Sequence, residues 1–184
     1  MTIKRYAALL RGINVGGHKK VPMARLRSLV EESGPTDVRT YLQSGNVTFA
    51  AARGDETSLA REIEAALAEE FGFQVDVLVR EHAYLKAVME ACPFPAAELE
   101  GKQLHVTYFS EAVTAERFAD VDPAAFAPED FRLGDRALYL YAPAGLGTSK
   151  LAVQLNRPAV NKGLVATSRN WNTVAKLVEW TGGA

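Results

Sequence analysis

Between an apolar run that ends at Leu10 and a helical pattern that opens at Pro22, the chain reads Arg11-Gly12-Ile13-Asn14-Val15-Gly16-Gly17-His18-Lys19-Lys20. Glycines in such a connection let backbone N–H groups approach a ligand closely, and the start of a helix adds a partial positive charge. Arg11, Lys19 and Lys20 supply full charges, so the chemistry on offer is capture of an anion, above all a phosphate. The stretch is neither a P-loop nor a dinucleotide fingerprint, because the required glycine and lysine spacings are absent. The plain alternative is a connection whose glycines take positive φ while its lysines point into solvent.

Three further stretches carry similar groups. Gly145-Leu146-Gly147-Thr148-Ser149-Lys150 again joins a strand pattern to a helical one. Its Lys150 falls in a first helical turn, where a cation opposes the helix dipole, which calls for a bound anion or a nearby acidic group. Two such loops are expected at corresponding places of two halves. Thr167-Ser168-Arg169-Asn170-Trp171-Asn172-Thr173 reads as the opening of the last helix, with Ser168 or Asn170 as its cap and Arg169 at the wrong end of the dipole. Tyr41-Leu42-Gln43-Ser44-Gly45-Asn46 has the composition of a tight hairpin turn. Together these give a set of candidate ligand contacts: Arg11, Asn14, Gly16, Gly17, Lys19, Lys20, Tyr41, Ser44, Asn46, Lys150, Arg169 and Asn172.

No catalytic constellation stands out. Gly-x-Ser-x-Gly, His-Glu-x-x-His and Cys-x-x-Cys do not occur, and the lone Cys92 with His18, His82 and His105 offers no metal-ligand spacing. No cofactor and no metal are expected. Tyr139 and Tyr141 alternate with Leu138 and Leu140, a stripe that could stack RNA bases but serves equally as core. One cysteine permits no internal disulfide, and no apolar run is long enough for a membrane span or a signal segment, so the expected compartment is the cytosol.

The net charge of −1 hides a strong asymmetry. Residues 1–40 carry 8 Lys and Arg against 3 Asp and Glu, residues 41–135 carry 7 against 18, and residues 136–184 carry 6 against 1. Basic ends that meet would suit an anionic partner; basic ends that pair with the acidic middle would not.

The elements that must position these residues follow from period and punctuation. Residues 3–10 read as a strand, Pro22 as the first residue of a helix stopped by Gly34-Pro35, and 38–42 and 47–49 as two strands. A long helix over 56–71 has Leu59, Ile63 and Leu67 at helical spacing, with Asp55 as cap and Gly72 as stop. A strand over 75–79 completes β-α-β-β-α-β, the ferredoxin-like order. A linking helix over 81–91 leads to Pro93-Phe94-Pro95, and then the pattern repeats in worn form. There 104–109 is a strand, 114–119 a short helix, the region of Phe131 and 137–141 two strands, 150–155 a helix and 164–166 a short strand. The reading is α+β: two ferredoxin-like halves, residues 1–92 and 93–184, the second degenerate, sharing one sheet system in one compact unit and closed by a C-terminal helix.

The stretches Ala8–Gly17, Met23–Arg27, Arg39–Val47 and Thr167–Val174 resemble, in the same order, the bacterial family called domain of unknown function 1697. The resemblance implies a cytosolic α+β protein related to duplicated ferredoxin-like folds. It brings no catalytic residues with it, but its motifs coincide with the first loop, the hairpin and the start of the last helix. Three functional readings stand. The first is a binding protein for a phosphate-bearing small molecule or a short nucleic acid. The second is an enzyme on a small anionic substrate, with Tyr41 or His18 as proton carrier. The third is a structural protein that dimerises through a sheet edge. The first is the leading reading.

Overall fold

A computed structural model describes residues 2–52 and 54–183. The chain forms two compact units, one running up to Lys86 and joined by the stretch from Leu177 onward, the other spanning Ala87–Lys176.

The first unit holds β1 (Lys4–Leu10), α1 (Met23–Glu32), β2 (Thr36–Tyr41), β3 (Asn46–Ala51), α2 (Glu56–Phe71) and β4 (Val77–Glu81). Its sheet has the order β2-β3-β1-β4 with every pairing antiparallel. That is the ferredoxin-like split βαβ arrangement. Period-2 alternation sends Tyr6, Ala8 and Leu10 of β1, Val47 and Phe49 of β3, and Val77 and Val79 of β4 to one face. There they meet Leu26, Leu29 and Val30 of α1 and Leu59, Ile63 and Leu67 of α2 in one buried cluster. Leu26 and Leu67 are fully buried, each worth roughly 1.5–3 kcal/mol of transfer free energy.

Local chemistry sets the helix ends. Asp55 and Ser58 form a reciprocal capping box at the start of α2, and Gly72 closes it at φ 74. Pro22 is the N-cap of α1 rather than its first residue. From Val77 the chain runs through β4 into α3 (His82–Glu90), which starts in the first unit and ends in the second. His82 Nδ1 lies 2.9 Å from Thr181 Oγ1, whose own hydroxyl donates to the Leu177 carbonyl, so the ring nitrogen is the donor.

The second unit contains β5 (Leu104–Phe109), β6 (Asp130–Gly134), β7 (Ala137–Tyr141), α4 (Lys150–Leu155) and β8 (Ala166–Asn170). α5 (Trp171–Thr181) follows and returns the chain to the first unit. The sheet order β6-β7-β5-β8 repeats that of the first unit. Each unit therefore has its own four-stranded sheet, and the expected single sheet system is not formed. The expected helix over 114–119 is only a 3₁₀ turn, Ala115–Phe118, followed by a second at Pro123–Phe126. Pro123 and the cap from Asp122 end any continuing helix there, and Phe118 and Val121, with the partly buried Val113 and Phe126, carry the packing of that crossover into the core.

The largest difference concerns residues 167–170, expected to open the last helix and found in β8. That strand starts at Ala166, the end of the short strand expected over 164–166, and pairs with β5 from His105↔Asn170 to Phe109↔Ala166. Asn170 remains the cap of α5, its side-chain oxygen accepting from Thr173 N at 3.0 Å. Among the described residues, no helix is long and apolar enough to cross a membrane.

Candidate functional site

The end of the first sheet where β1 stops and β3 and β4 begin gathers three loops, 11–22, 42–45 and 74–76. The glycine-rich loop folds as a miniature hairpin. Val15 bridges His18, Asn14 N donates to Lys19 O at 3.1 Å, and Gly16 and Gly17 take φ of 57° and 78°. Two successive positive φ values are those of a type I′ turn, which glycine enters without strain. The amides of Gly16 and Gly17 thus belong to a hairpin turn and not to the first turn of α1. The helix dipole invoked from the sequence does not act on them, and the full charges must do the work.

Side chains stitch this hairpin to its neighbours. Asn14 Nδ2 donates to Val21 O at 3.0 Å and to Gln43 O at 2.8 Å, while its Oδ1 accepts from Val21 N at 2.8 Å. Both amide hydrogens are engaged, so Asn14 is a clasp between two loops rather than a ligand contact. Arg11 N donates to Asp76 O, and the Arg11 guanidinium pairs with the Asp76 carboxylate at 3.3 Å with both side chains half exposed. Lys19 Nζ donates to Gln74 O at 2.7 Å, and Lys20 is exposed beside it.

The 42–45 turn is held from inside. Leu10 N donates to Gly45 O, and a Cβ on Gly45 would stand 2.7 Å from Ile13 Cδ1 and 2.8 Å from Leu10 Cβ. Asn46 is fully buried, and its Nδ2 donates to Tyr41 O and Ser44 Oγ. Asn46 is therefore an internal brace, because burial keeps its amide from any ligand. Ser44 stays exposed at the turn.

Lys150, Arg169 and Asn172 lie in the second unit, and the structure changes the reading of each. At the start of α4, Ser149 caps Ala152 N, and the Glu129 carboxylate accepts from Ser149 Oγ and from Lys150 N. The acidic group that the position of Lys150 called for is Glu129, so a carboxylate of the chain itself sits where an anion would. A cavity of about 530 Å³ opens beside it, lined in part by Phe126, Pro128, Glu129, Pro143 and Lys150. Nor do the two glycine loops correspond: β7, which leads into the 145–150 loop, takes the place of β3, whereas the 11–20 loop follows β1.

Arg169 lies in β8, not in a helical turn, so the dipole argument does not apply to it. It is buried, with Nη1 donating to Thr167 Oγ1 at 2.7 Å and to Ser168 O at 2.9 Å. Burial pulls its guanidinium down to about 10, which leaves it cationic at neutral pH. Asn172 is exposed, but its side chain lies against Gly101, where a Cβ would come within 2.3 Å of Oδ1.

Of a cluster on the sheet face opposite α1 and α2, sequence reasoning singled out only Tyr41. Trp180 of α5 packs edge-to-face on Tyr41, with centroids 5.5 Å apart and planes at 79°, and the Arg39 guanidinium lies over the Trp180 ring at 5.7 Å. Asp37 pairs with Arg5 at 2.5 Å and with Arg39 at 3.5 Å, and the Arg5 contact holds its carboxyl below the usual carboxylate range. A register shift between Thr36 and Arg39, with Asp37 at φ 50°, aims these groups. Asp37, Arg39 and Tyr41 share a face by alternation, a signal present in the sequence. Trp180 comes from the far end of the chain and left no such signal. Among the described residues, no group of three or more His, Cys, Asp or Glu is placed to hold a metal ion.

Comparison with known proteins bears on fold and family. A structure described as conserved bacterial protein SP0830 from Streptococcus pneumoniae superposes with a TM-score of 0.77 at 24% identity, covering 98% of this chain and 99% of that one. At that identity the likeness concerns the fold. No curated protein matches the chain. The profile of a family described as "Protein of unknown function (DUF1697)" matches residues 3–139, most of the chain's 184 residues, and the chain belongs to that family.

Proposed function

We propose that the loop-bearing end of the first unit binds a phosphate-bearing ligand, a nucleotide or a short nucleic acid. The observation that carries this reading is the stitching of three loops at one sheet end. Through Asn14, the Arg11–Asp76 pair and the Lys19–Gln74 contact, a glycine hairpin is held next to Arg11, Lys19 and Lys20. One donor of the Arg11 fork meets Asp76, and a guanidinium has five. Exposed Lys20 adds a further positive charge beside the hairpin. Gly16 and Gly17 leave backbone open to close approach, since a Cβ on Gly17 would meet nothing within 4 Å. Lys150 and Arg169 are not needed for this reading.

The test is a titration with nucleotides, sugar phosphates and inorganic phosphate at low and moderate salt, on the parent and on an Arg11→Gln, Lys20→Gln double variant. Both positions are exposed, so the variant is expected to fold. Binding should weaken as salt rises and fall by about tenfold or more in the variant, as for charge-assisted contacts. Equal affinity of parent and variant, or no binding by any phosphate compound, would contradict the proposal.

A further inference from the structure

We infer that the ligand of the first unit is single-stranded nucleic acid, with a base stacked on the Arg39–Trp180–Tyr41 cluster while the adjoining loops hold backbone phosphate. The inference rests on the phosphate reading above and names its ligand. Its ground is that the cluster and the loops form adjoining stations of one unit. Tyr41 is the last residue of β2, its carbonyl is braced by Asn46, and the turn that follows is clasped by Asn14 at Gln43. Gln43 lies four positions after Arg39, so at about 3.3–3.6 Å per residue the two lie no more than about 14 Å apart.

The cluster has the chemistry of a base platform. The Arg39 side chain lies on Trp180 and is 44% exposed, a place where a base could extend the stack. Tyr41 and Trp180 are half-buried, anchored in the unit with part of each ring outside. The charges suit a polyanion at the loop end, where Arg11, Lys19 and Lys20 stand against Asp76, and on β2 Arg39 shares Asp37 with Arg5. A single phosphate uses only the loops and a lone base only the cluster. A strand that alternates base and phosphate uses both, and stacking demands no particular sequence.

The experiment uses the whole chain and two probes of equal length, a single-stranded oligothymidylate of roughly eight nucleotides and the same phosphodiester chain without bases. The oligothymidylate should bind about tenfold or more tightly than the abasic chain, as expected for one stacked base. Arg39→Ala should remove most of that difference, lowering oligothymidylate affinity far more than the abasic affinity that loses only its charge, whereas Lys20→Gln should weaken both probes alike. In a Trp171→Phe background the emission of Trp180 should be quenched by the oligothymidylate and not by the abasic chain. Equal affinity for the two probes overturns the stacking inference and leaves the phosphate reading standing. Binding of mononucleotides as tightly as the oligomer overturns the strand assignment. Failure of every phosphate compound, inorganic phosphate included, overturns both.

Discussion

Gly45 shows how a single atom can set the geometry of the loop end. Its φ of 84° is disfavoured for any residue with a Cβ, and that Cβ would press on Ile13 and Leu10 inside normal contact distance. Gly45→Ala should therefore cost about 2 kcal/mol or more in denaturant unfolding. It should also loosen the Asn14–Gln43 clasp, so phosphate affinity should fall with stability. A variant as stable as the parent would show that the turn tolerates a side chain. His105 makes a second case. It is buried on β5, burial lowers its pKa below the ordinary 6.5, and its Nδ1 has no hydrogen-bond partner. Above 6.5 the ring is neutral in both states and this group adds no pH dependence. As pH falls through 6.5 the unfolded chain takes up a proton that the folded ring resists, so stability declines until the lower folded pKa is passed. Between about pH 7.5 and about pH 5.5, His105→Leu should lose less stability than the parent. An unchanged slope would rule this group out as a source of acid sensitivity.

At the scale of elements, α4 depends on a partner distant in sequence. Its six residues, Lys150–Leu155, are capped by Ser149, and the Glu129 carboxylate completes the cap from outside the helix. Glu129→Ala should destabilise the protein by about 1–2 kcal/mol by leaving Ser149 Oγ and Lys150 N without this acceptor. Thermal unfolding reads the effect, and a shift of less than a degree would deny the carboxylate this role. The same helix illustrates what the sequence makes legible. The bounds of α2, β5 and α4 follow from local apolar spacing, and the cap and stop of α2 from Asp55 and Gly72. Thr167–Asn170 misleads because its hydroxyl and amide residues are cap types. Their place in a strand is dictated by pairing with β5, some sixty residues earlier in the chain, for example Thr107↔Ser168. Of the candidate site, Arg11, Lys19 and Lys20 are legible as charges. The roles of Asn14 and Asn46 as clasp and brace are not, since their partners come from separate turns. Trp180 is invisible for the same reason.

At the scale of the whole molecule, one strand order is used twice and the two copies have diverged. The first unit keeps both crossover helices and carries the glycine-rich hairpin; the second replaces one crossover with 3₁₀ turns and fills the end of α4 with Glu129. The basic character of residues 1–40 falls in the copy that carries the glycine hairpin and the proposed site. The edge of that copy's sheet at β2 is bulged and lined by Asp37 and Arg39, an arrangement that discourages pairing with a strand of a second copy. The most direct measurement is the amide NMR spectrum of the ¹⁵N-labelled protein titrated with inorganic phosphate at low salt. The account predicts saturable shifts at Gly16, Gly17 and Lys20 and at the Arg11 side chain, reversed by added salt. Shifts confined to the second unit, or none in a folded protein, would contradict it.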